Sequence, residues 1–268
     1  MKGSPRLADV FAATAAAGRT ALITYVMAGD PDPAESAALA GACIEGGADI
    51  VELGIPFSDP LADGPVIQRA AERALAAGTR LADVLGVAGA LRDGSETPIV
   101  LMGYLNPILA MGEERFFAAC RERGVDAVII PDLLPEAAGR VADCARRNEV
   151  GTVFMVSNRS TPARRRQAIK AATAFVYLTA VDGVTGVRPT LPPRLVASIG
   201  AVRSASCLPV VVGFGISRPE HVAALRGVVD GVVVGSAIVS IIGAERDSPH
   251  RLEGVRTLVR ALRGQAVA

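Results

Sequence analysis

Eight short apolar runs, rich in β-branched residues, recur along the chain at 22–27, 49–54, 99–104, 127–131, 152–156, 175–179, 210–214 and 231–235. Each is followed by a stretch with helical signals. Hydrophobicity within the runs is continuous rather than alternating, which is what strands covered on both faces require; an alternating strand would leave one face in water. The intervening helices announce their starts. Asp32-Pro33-Ala34-Glu35 offers an N-cap carboxylate, a proline at the first helical position and a glutamate at the third. Ser217-Arg218-Pro219-Glu220 reads as a capping box with Ser217 as the N-cap, and Thr161-Pro162 as another cap followed by proline. Gly46-Gly47 and Gly124 fall where helices end and the chain turns back. Eight strand–helix units in 268 residues, with no break in composition, predict an α/β fold: one (β/α)₈ TIM barrel, a single domain over residues 1–268. The runner-up is a doubly wound open sheet. It would want a GxGxxG turn after an early strand, and the sequence has none.

Composition narrows the function. Half the residues are hydrophobic, 21% are charged and the net charge is +1, an ordinary balance for a well-cored globule. The one basic run, Arg164-Arg165-Arg166, has no aromatic neighbours and reads as a solvated helix face, so no nucleic-acid partner is expected. Cys43, Cys120, Cys144 and Cys207 are widely spaced without a CxxC pair; they read as core or helix residues in a reducing compartment. His221 and His250 are the only histidines, which argues against a His-rich metal site or a Ser-His-Asp triad, and no metal is expected. Residues 7–17 are alanine-rich and interrupted by Asp9, unlike a signal peptide. No apolar run reaches the roughly 20 residues needed to span a bilayer. The expected place is the cytoplasm.

In a barrel the chemistry gathers at the C-terminal strand ends. Glu52 sits inside an apolar strand between Val51 and Leu53, where an ionised carboxylate is costly unless partnered. Asp63 follows in a long Pro- and Gly-rich loop, with Asp59 between them as a turn-stiffening residue. If both acids face one cavity, burial pushes the first towards neutrality while the wetter one stays ionised, a division suited to proton transfer. The alternative, level with it on spacing alone, is that Glu52 is a structural acid paired to an arginine. A second constellation is Gly213-Phe214-Gly215 after run seven and Gly235-Ser236-Ala237 after run eight. Glycine turns admit a ligand to the backbone, helix starts bind anions, and these two loops are a common phosphate site in barrels; Gly213, Gly215, Gly235 and Ser236 are the candidates. Residues 181–189, with Gly183 and Gly186 flanking Thr185, suit a closing lid. Tyr25, Tyr104 and Tyr177, with Phe57 and Phe214, are candidates for an aromatic wall, core packing being the alternative for each. Asp132 ends run four as a loop-orienting acid, and Asn106-Pro107 reads as a turn.

The run VELGIPFSDPLADGP at 51–65 resembles the signature of tryptophan synthase α subunits. YVMAGDP (25–31), MGYLNP (102–107), IIPDLLPEA (129–137), YLTAVDGVTG (177–186), VGFGIS (212–217) and GSAIV (235–239) extend the resemblance over nearly the whole chain, in family order. The resemblance implies a lyase that splits indole-3-glycerol phosphate by retro-aldol cleavage into indole and glyceraldehyde 3-phosphate. Glu52 then corresponds to the general acid/base and Asp63 to the second carboxylate. On the same resemblance Tyr177 matches a tyrosine beside the substrate, and Thr185 the threonine of a mobile loop that positions the aspartate. Gly186, Gly215, Gly235 and Ser236 hold the phosphate. The implied partner is a tryptophan synthase β subunit in an α₂β₂ heterotetramer for L-tryptophan biosynthesis, with Pro56, Asp59, Pro60 and Asn106 at positions that meet it. Pyridoxal phosphate is expected only in that partner, and no cofactor in this chain. Two departures stand out. The family's usual Ser-Arg pair before GVTG is replaced in Thr179-Ala180-Val181-Asp182, and its strand-one phenylalanine is Tyr25. The first keeps a stand-alone lyase releasing indole as an alternative; a non-catalytic regulatory barrel is the more distant one.

Overall fold

The computed structural model describes residues 4–179, 193–213, 215–244 and 247–264. Eight strands form a closed, all-parallel barrel in sequence order: β1 (Ala21–Met27), β2 (Ile50–Gly54), β3 (Ile99–Met102), β4 (Ala127–Ile129), β5 (Gly151–Ser157), β6 (Val176–Thr179), β7 (Val210–Gly213) and β8 (Gly231–Val234). β8 returns to pair with β1, Thr24 lying opposite Val234. The predicted TIM barrel is the fold observed. Around it run α1 (Pro5–Ala16), α2 (Pro33–Glu45), α3 (Pro65–Ala76), α4 (Leu81–Gly94), α5 (Leu105–Met111) and α6 (Glu113–Glu122). They continue with α7 (Gly139–Arg147), α8 (Pro162–Ala171), α9 (Pro193–Arg203), α10 (Pro219–Leu225), α11 (Ser236–Ala244) and α12 (Ser248–Arg263).

The strands read as continuous apolar runs because they separate two cores. Ala21, Ile23, Tyr25 and Met27 of β1 point into the barrel, while Leu22 and Val26 pack outward against the helices. The lower mouth is closed by α1, which had no distinct signature in the alanine-rich sequence. Its Leu7 and Phe11 enter the interior cluster, and Phe11 meets Phe175 edge to face with ring centroids 5.9 Å apart. Beneath them Asp126, 1% exposed, accepts hydrogen bonds from the Ser4 hydroxyl, from Arg6 at 3.3 Å, Arg92 at 3.0 Å and the Ile99 N–H at 2.8 Å. This ties the first helix to the bottom of β3 and β4.

Several local expectations hold. Asp32 caps α2 by accepting the Glu35 N–H at 2.9 Å, and Thr161 caps α8 through Arg164 N–H at 3.3 Å. The exposed faces of Arg164 and Arg166 lie in solvent. Others need correcting. Ser217 is not an N-cap and makes no capping box: Pro219 occupies the first position of α10, so Arg218 is the cap residue, and the Ser217 N–H instead donates to His221 Nδ1 at 3.3 Å. β3 stops at Met102, two residues early, because Tyr104 becomes the cap residue of α5. Asn106 and Pro107 are therefore helical, not a turn. The Asp132 carboxylate orients this start by accepting the Leu105 N–H at 3.0 Å. Cys43, Cys120 and Cys144 are buried in helices, whereas Cys207 is exposed in the connection before β7. Among the described residues no single helix is long and apolar enough to cross a membrane.

Candidate active site

A cavity of about 410 Å³ opens at the C-terminal strand ends, within the usual size range of small-molecule sites. β2 delivers Glu52 into it, directly opposite Tyr25 of β1 and Val100 of β3 in register. The side chain is 1% exposed, and Oε2 has no hydrogen-bond partner among the described residues. No arginine pairs with it there, which favours the catalytic over the structural reading. Burial, reinforced by the charge of Asp63, pushes its pKa up to about 8. Asp63 enters the same cavity from the β2–α3 loop and is half-buried. Burial raises it to about 6, against the lowering effect of a hydrogen bond from Tyr104. At neutral pH the strand carboxyl therefore carries a proton and the loop carboxylate does not.

The loop that carries Asp63 is held from within and from Tyr104 at the start of α5. Leu61 N–H donates to Asp59 O at 3.0 Å and Asp63 N–H to Pro60 O at 3.1 Å. Ser58 Oγ donates to the Asp59 carboxylate at 2.5 Å, which stiffens the turn. The Tyr104 hydroxyl accepts the Ala62 N–H at 2.9 Å, and its ring stacks on Phe57 at 5.3 Å. Tyr104 thus supports the acid rather than lining the cavity, and Phe57 faces Tyr104.

Tyr25 and Tyr177 do line the cavity, both 5% exposed. Each lays its hydroxyl across a glycine of the neighbouring strand. A Cβ on Gly54 would lie 2.1 Å from Tyr25 Oη, and one on Gly213 would lie 2.0 Å from Tyr177 Oη. Clearance for a tyrosine is the observed role of Gly213, which does not itself line the cavity among the described residues. Apolar side chains line the cavity with them, among them Ile67, Met102, Met155 and Val233. Sequence reasoning missed these, because ordinary core residues carry no distinguishing signal. Gly215 (φ +72°), Gly235 and Ser236 also line the cavity, and a Cβ on Gly235 would lie 3.3 Å from Tyr25 Cβ. Gly235 and Ser236 open α11, whose first-turn N–H groups have no partner within their own helix. Thr185, Gly186 and Phe214, with the lid segment 181–189, lie outside the described residues.

Of the expected partner positions, Asp59 and Asn106 are exposed and Pro60 is half-buried, but Pro56 is buried and offers no surface. The same end of the barrel exposes Leu61 (94%), Leu109 (47%) and Leu134 (44%), on the loop after β2, on α5 and after β4. A larger cleft of about 610 Å³ lies at the bottom between α1 and the start of β7. Of the residues that line it, Arg203 pairs with Asp230 at 3.5 Å and donates to Val228 O at 2.7 Å.

A closed parallel barrel with a cavity at its C-terminal strand ends that holds two carboxyls has the build of a TIM-barrel enzyme. Residues 11–266 match the family model described as Tryptophan synthase alpha chain. The chain is 47% identical over 259 residues to the tryptophan synthase alpha chain of Geobacter sulfurreducens, covering 96% of this chain and 97% of that one. It is 46% identical to that of Laribacter hongkongensis, covering 95% and 97%. Mycobacterium tuberculosis tryptophan synthase superposes with a TM-score of 0.89 at 35% identity, covering 97% of this chain and 98% of that one. The chain belongs to the tryptophan synthase alpha chain family. It is a carbon–carbon lyase of tryptophan biosynthesis that cleaves indole-3-glycerol phosphate and pairs with a β subunit. These findings do not favour the stand-alone lyase or the non-catalytic barrel.

Proposed function

We propose that Glu52 is the proton donor and acceptor of the cleavage and that Asp63 stabilises the charge it creates. The observation that carries this reading is the buried Glu52 carboxyl, protonated at neutral pH, with an orphaned oxygen in a cavity shared with an ionised aspartate. Glu52 gives its proton to indole C3. The resulting positive charge spreads to the ring nitrogen, whose N–H donates to the Asp63 carboxylate. Glu52, now a carboxylate, takes the proton of the side-chain hydroxyl next to the ring; the C–C bond breaks, its electron pair returns to the ring, and an aldehyde leaves. Glu52 ends as it began, so protons balance without water, metal or redox partner. A charge forming in this low-dielectric cavity interacts with a fixed carboxylate far more strongly than in water.

Tyr25 and Tyr177 clamp the indole, and Tyr104 positions Asp63. The backbone N–H groups at Gly215, Gly235 and Ser236 receive the phosphate at the start of α11, where unpaired donors and the helix dipole favour an anion. Gly213 serves that site by seating Tyr177. Thr185, Gly186 and Phe214 complete it on the resemblance alone. Leu61, Asp59, Pro60 and Asn106 form the face towards the β subunit, with Pro56 shaping the loop from beneath. The chain works as one barrel domain in the cytoplasm with no cofactor of its own, pyridoxal phosphate belonging to the partner. The test is indole release by Glu52→Gln and Asp63→Asn, each expected to fold normally and to lose about 10²–10⁴-fold in kcat. Near-wild-type turnover by either variant removes that residue from the mechanism.

A further inference from the structure

Arg73 lies outside the cavity, near the end of α3, yet it touches three elements that build the site. Its Nε and Nη2 donate to Asp30 Oδ1 and Oδ2, each at 2.7 Å, in a two-pronged pair. Asp30 is 1% exposed and belongs to the loop that leaves β1. On its other side the guanidinium lies against bare backbone: a Cβ on Gly243 of α11 would fall 2.9 Å from Nη2 and 3.2 Å from Cζ. One planar group therefore joins the β1 exit, α3 and α11.

Those two helices carry opposite ends of the reaction. Asp63 stands two residues ahead of α3, and Gln68 in the first turn donates through Nε2 to Asp63 O at 2.8 Å, so the acid moves with the helix. Gly235 and Ser236 stand at the start of α11. The two helices pack against each other. The buried face of α3 is Ile67, Ala70, Ala71 and Ala74, and small side chains make shallow ridges that resist sliding poorly. A bidentate arginine–carboxylate pair does resist it, because both its distance and its plane are set.

We propose that Arg73 is a positioning residue that sets the distance between the Asp63 carboxylate and the phosphate cradle of α11. The inference rests on the reading of those two groups given above. It separates two kinds of ligand. A molecule that spans both ends senses their spacing, whereas indole alone or glycerol phosphate alone uses one end and does not.

The experiment measures dissociation constants of three probes for the full chain and for Arg73→Lys, which keeps the charge but loses the planar fork. The probes are indole, glycerol 3-phosphate, and an indole joined to phosphate by a three-carbon chain. The spanning probe is expected to weaken by about tenfold or more, as misplacement on the ångström scale commonly does, while each fragment stays within about twofold. An unchanged spanning probe overturns the proposal, and so does weakening of either fragment in parallel with it, which marks general loosening. If Arg73→Lys does not fold, Gly243→Ala decides: it displaces the guanidinium without removing the pair and is expected to give the same split, and uniform affinities overturn the proposal. Failure of the wild-type chain to bind glycerol 3-phosphate would instead bring down the phosphate reading beneath it.

Discussion

The split proton affinity of Glu52 and Asp63 makes the lyase step a bell-shaped function of pH. The productive state has Glu52 protonated and Asp63 ionised. With limbs at about 8 and about 6, about four-fifths of the molecules hold that state at pH 7, and each further unit beyond a limb removes about tenfold in rate. The signs are separable by mutation. Asp63→Asn removes a negative charge that disfavours the Glu52 anion, so the basic limb should fall in pH while the acid limb attributable to Asp63 disappears. Tyr104→Phe removes a hydrogen bond that favours the Asp63 anion, so the acid limb should rise. A hydrogen bond to a charged group is worth about 1.5–3 kcal/mol before screening at this half-buried site. With about 1.4 kcal/mol per pKa unit, the expected rise is about one unit. The assay is kcat/KM for indole release by the isolated chain between pH 5 and pH 10. The substrate phosphate also titrates near pH 6. Its limb is common to every variant, which is why the comparison with Asp63→Asn is essential. A wild-type profile flat to pH 10 would refute the protonated Glu52. An acid limb identical in wild type, Asp63→Asn and Tyr104→Phe would refute the part given to Asp63.

Two further outcomes follow from packing. Gly213→Ala places a Cβ 2.0 Å from the Tyr177 hydroxyl, and should cost about 1–3 kcal/mol in urea unfolding together with a loss of kcat/KM. Adding Tyr177→Phe should recover only part of that stability, because the ring's Cζ and Cε1 would still lie 2.5 and 2.7 Å from the new methyl. A single variant as stable as wild type would show the strand tolerates the methyl. At the other end, Asp126→Ala leaves Arg92 and the Ile99 N–H without their buried acceptor and should cost about 3–5 kcal/mol, with KM unchanged. An altered KM with intact stability would contradict the structural role.

The strands and the acids were legible because each breaks a local expectation. A run such as 210–214 is too apolar to be wetted on either face, and Glu52 is an acid in a run of the same kind. Glycine turns after the last two strands were visible for a similar reason, although Gly213 proves to make room for a ring. What sequence reasoning missed depends on pairs remote along the chain. Asp126 meets Ser4, and Arg73 meets Asp30, through contacts that leave no periodic trace in either neighbourhood. The role of Tyr104 was misread because its strand ended two residues early, turning a wall residue into the support of a loop. The start of α10 was misplaced because Pro219 at the first helical position competes with the Ser217 box and wins.

The pairing of β8 with β1 carries a consequence for how the chain is made. The free edge of β1 is complete once residue 27 has been synthesised, but its second partner begins at Gly231. Throughout the interval the nascent barrel is an open sheet, with exposed backbone donors and acceptors along β1 and along the newest strand. Closure joins segments some two hundred residues apart, a contact of high sequence separation that comes late in folding. Fragments ending anywhere before β8 therefore keep two sticky edges, and edge-to-edge association is their expected fate until the last strand arrives.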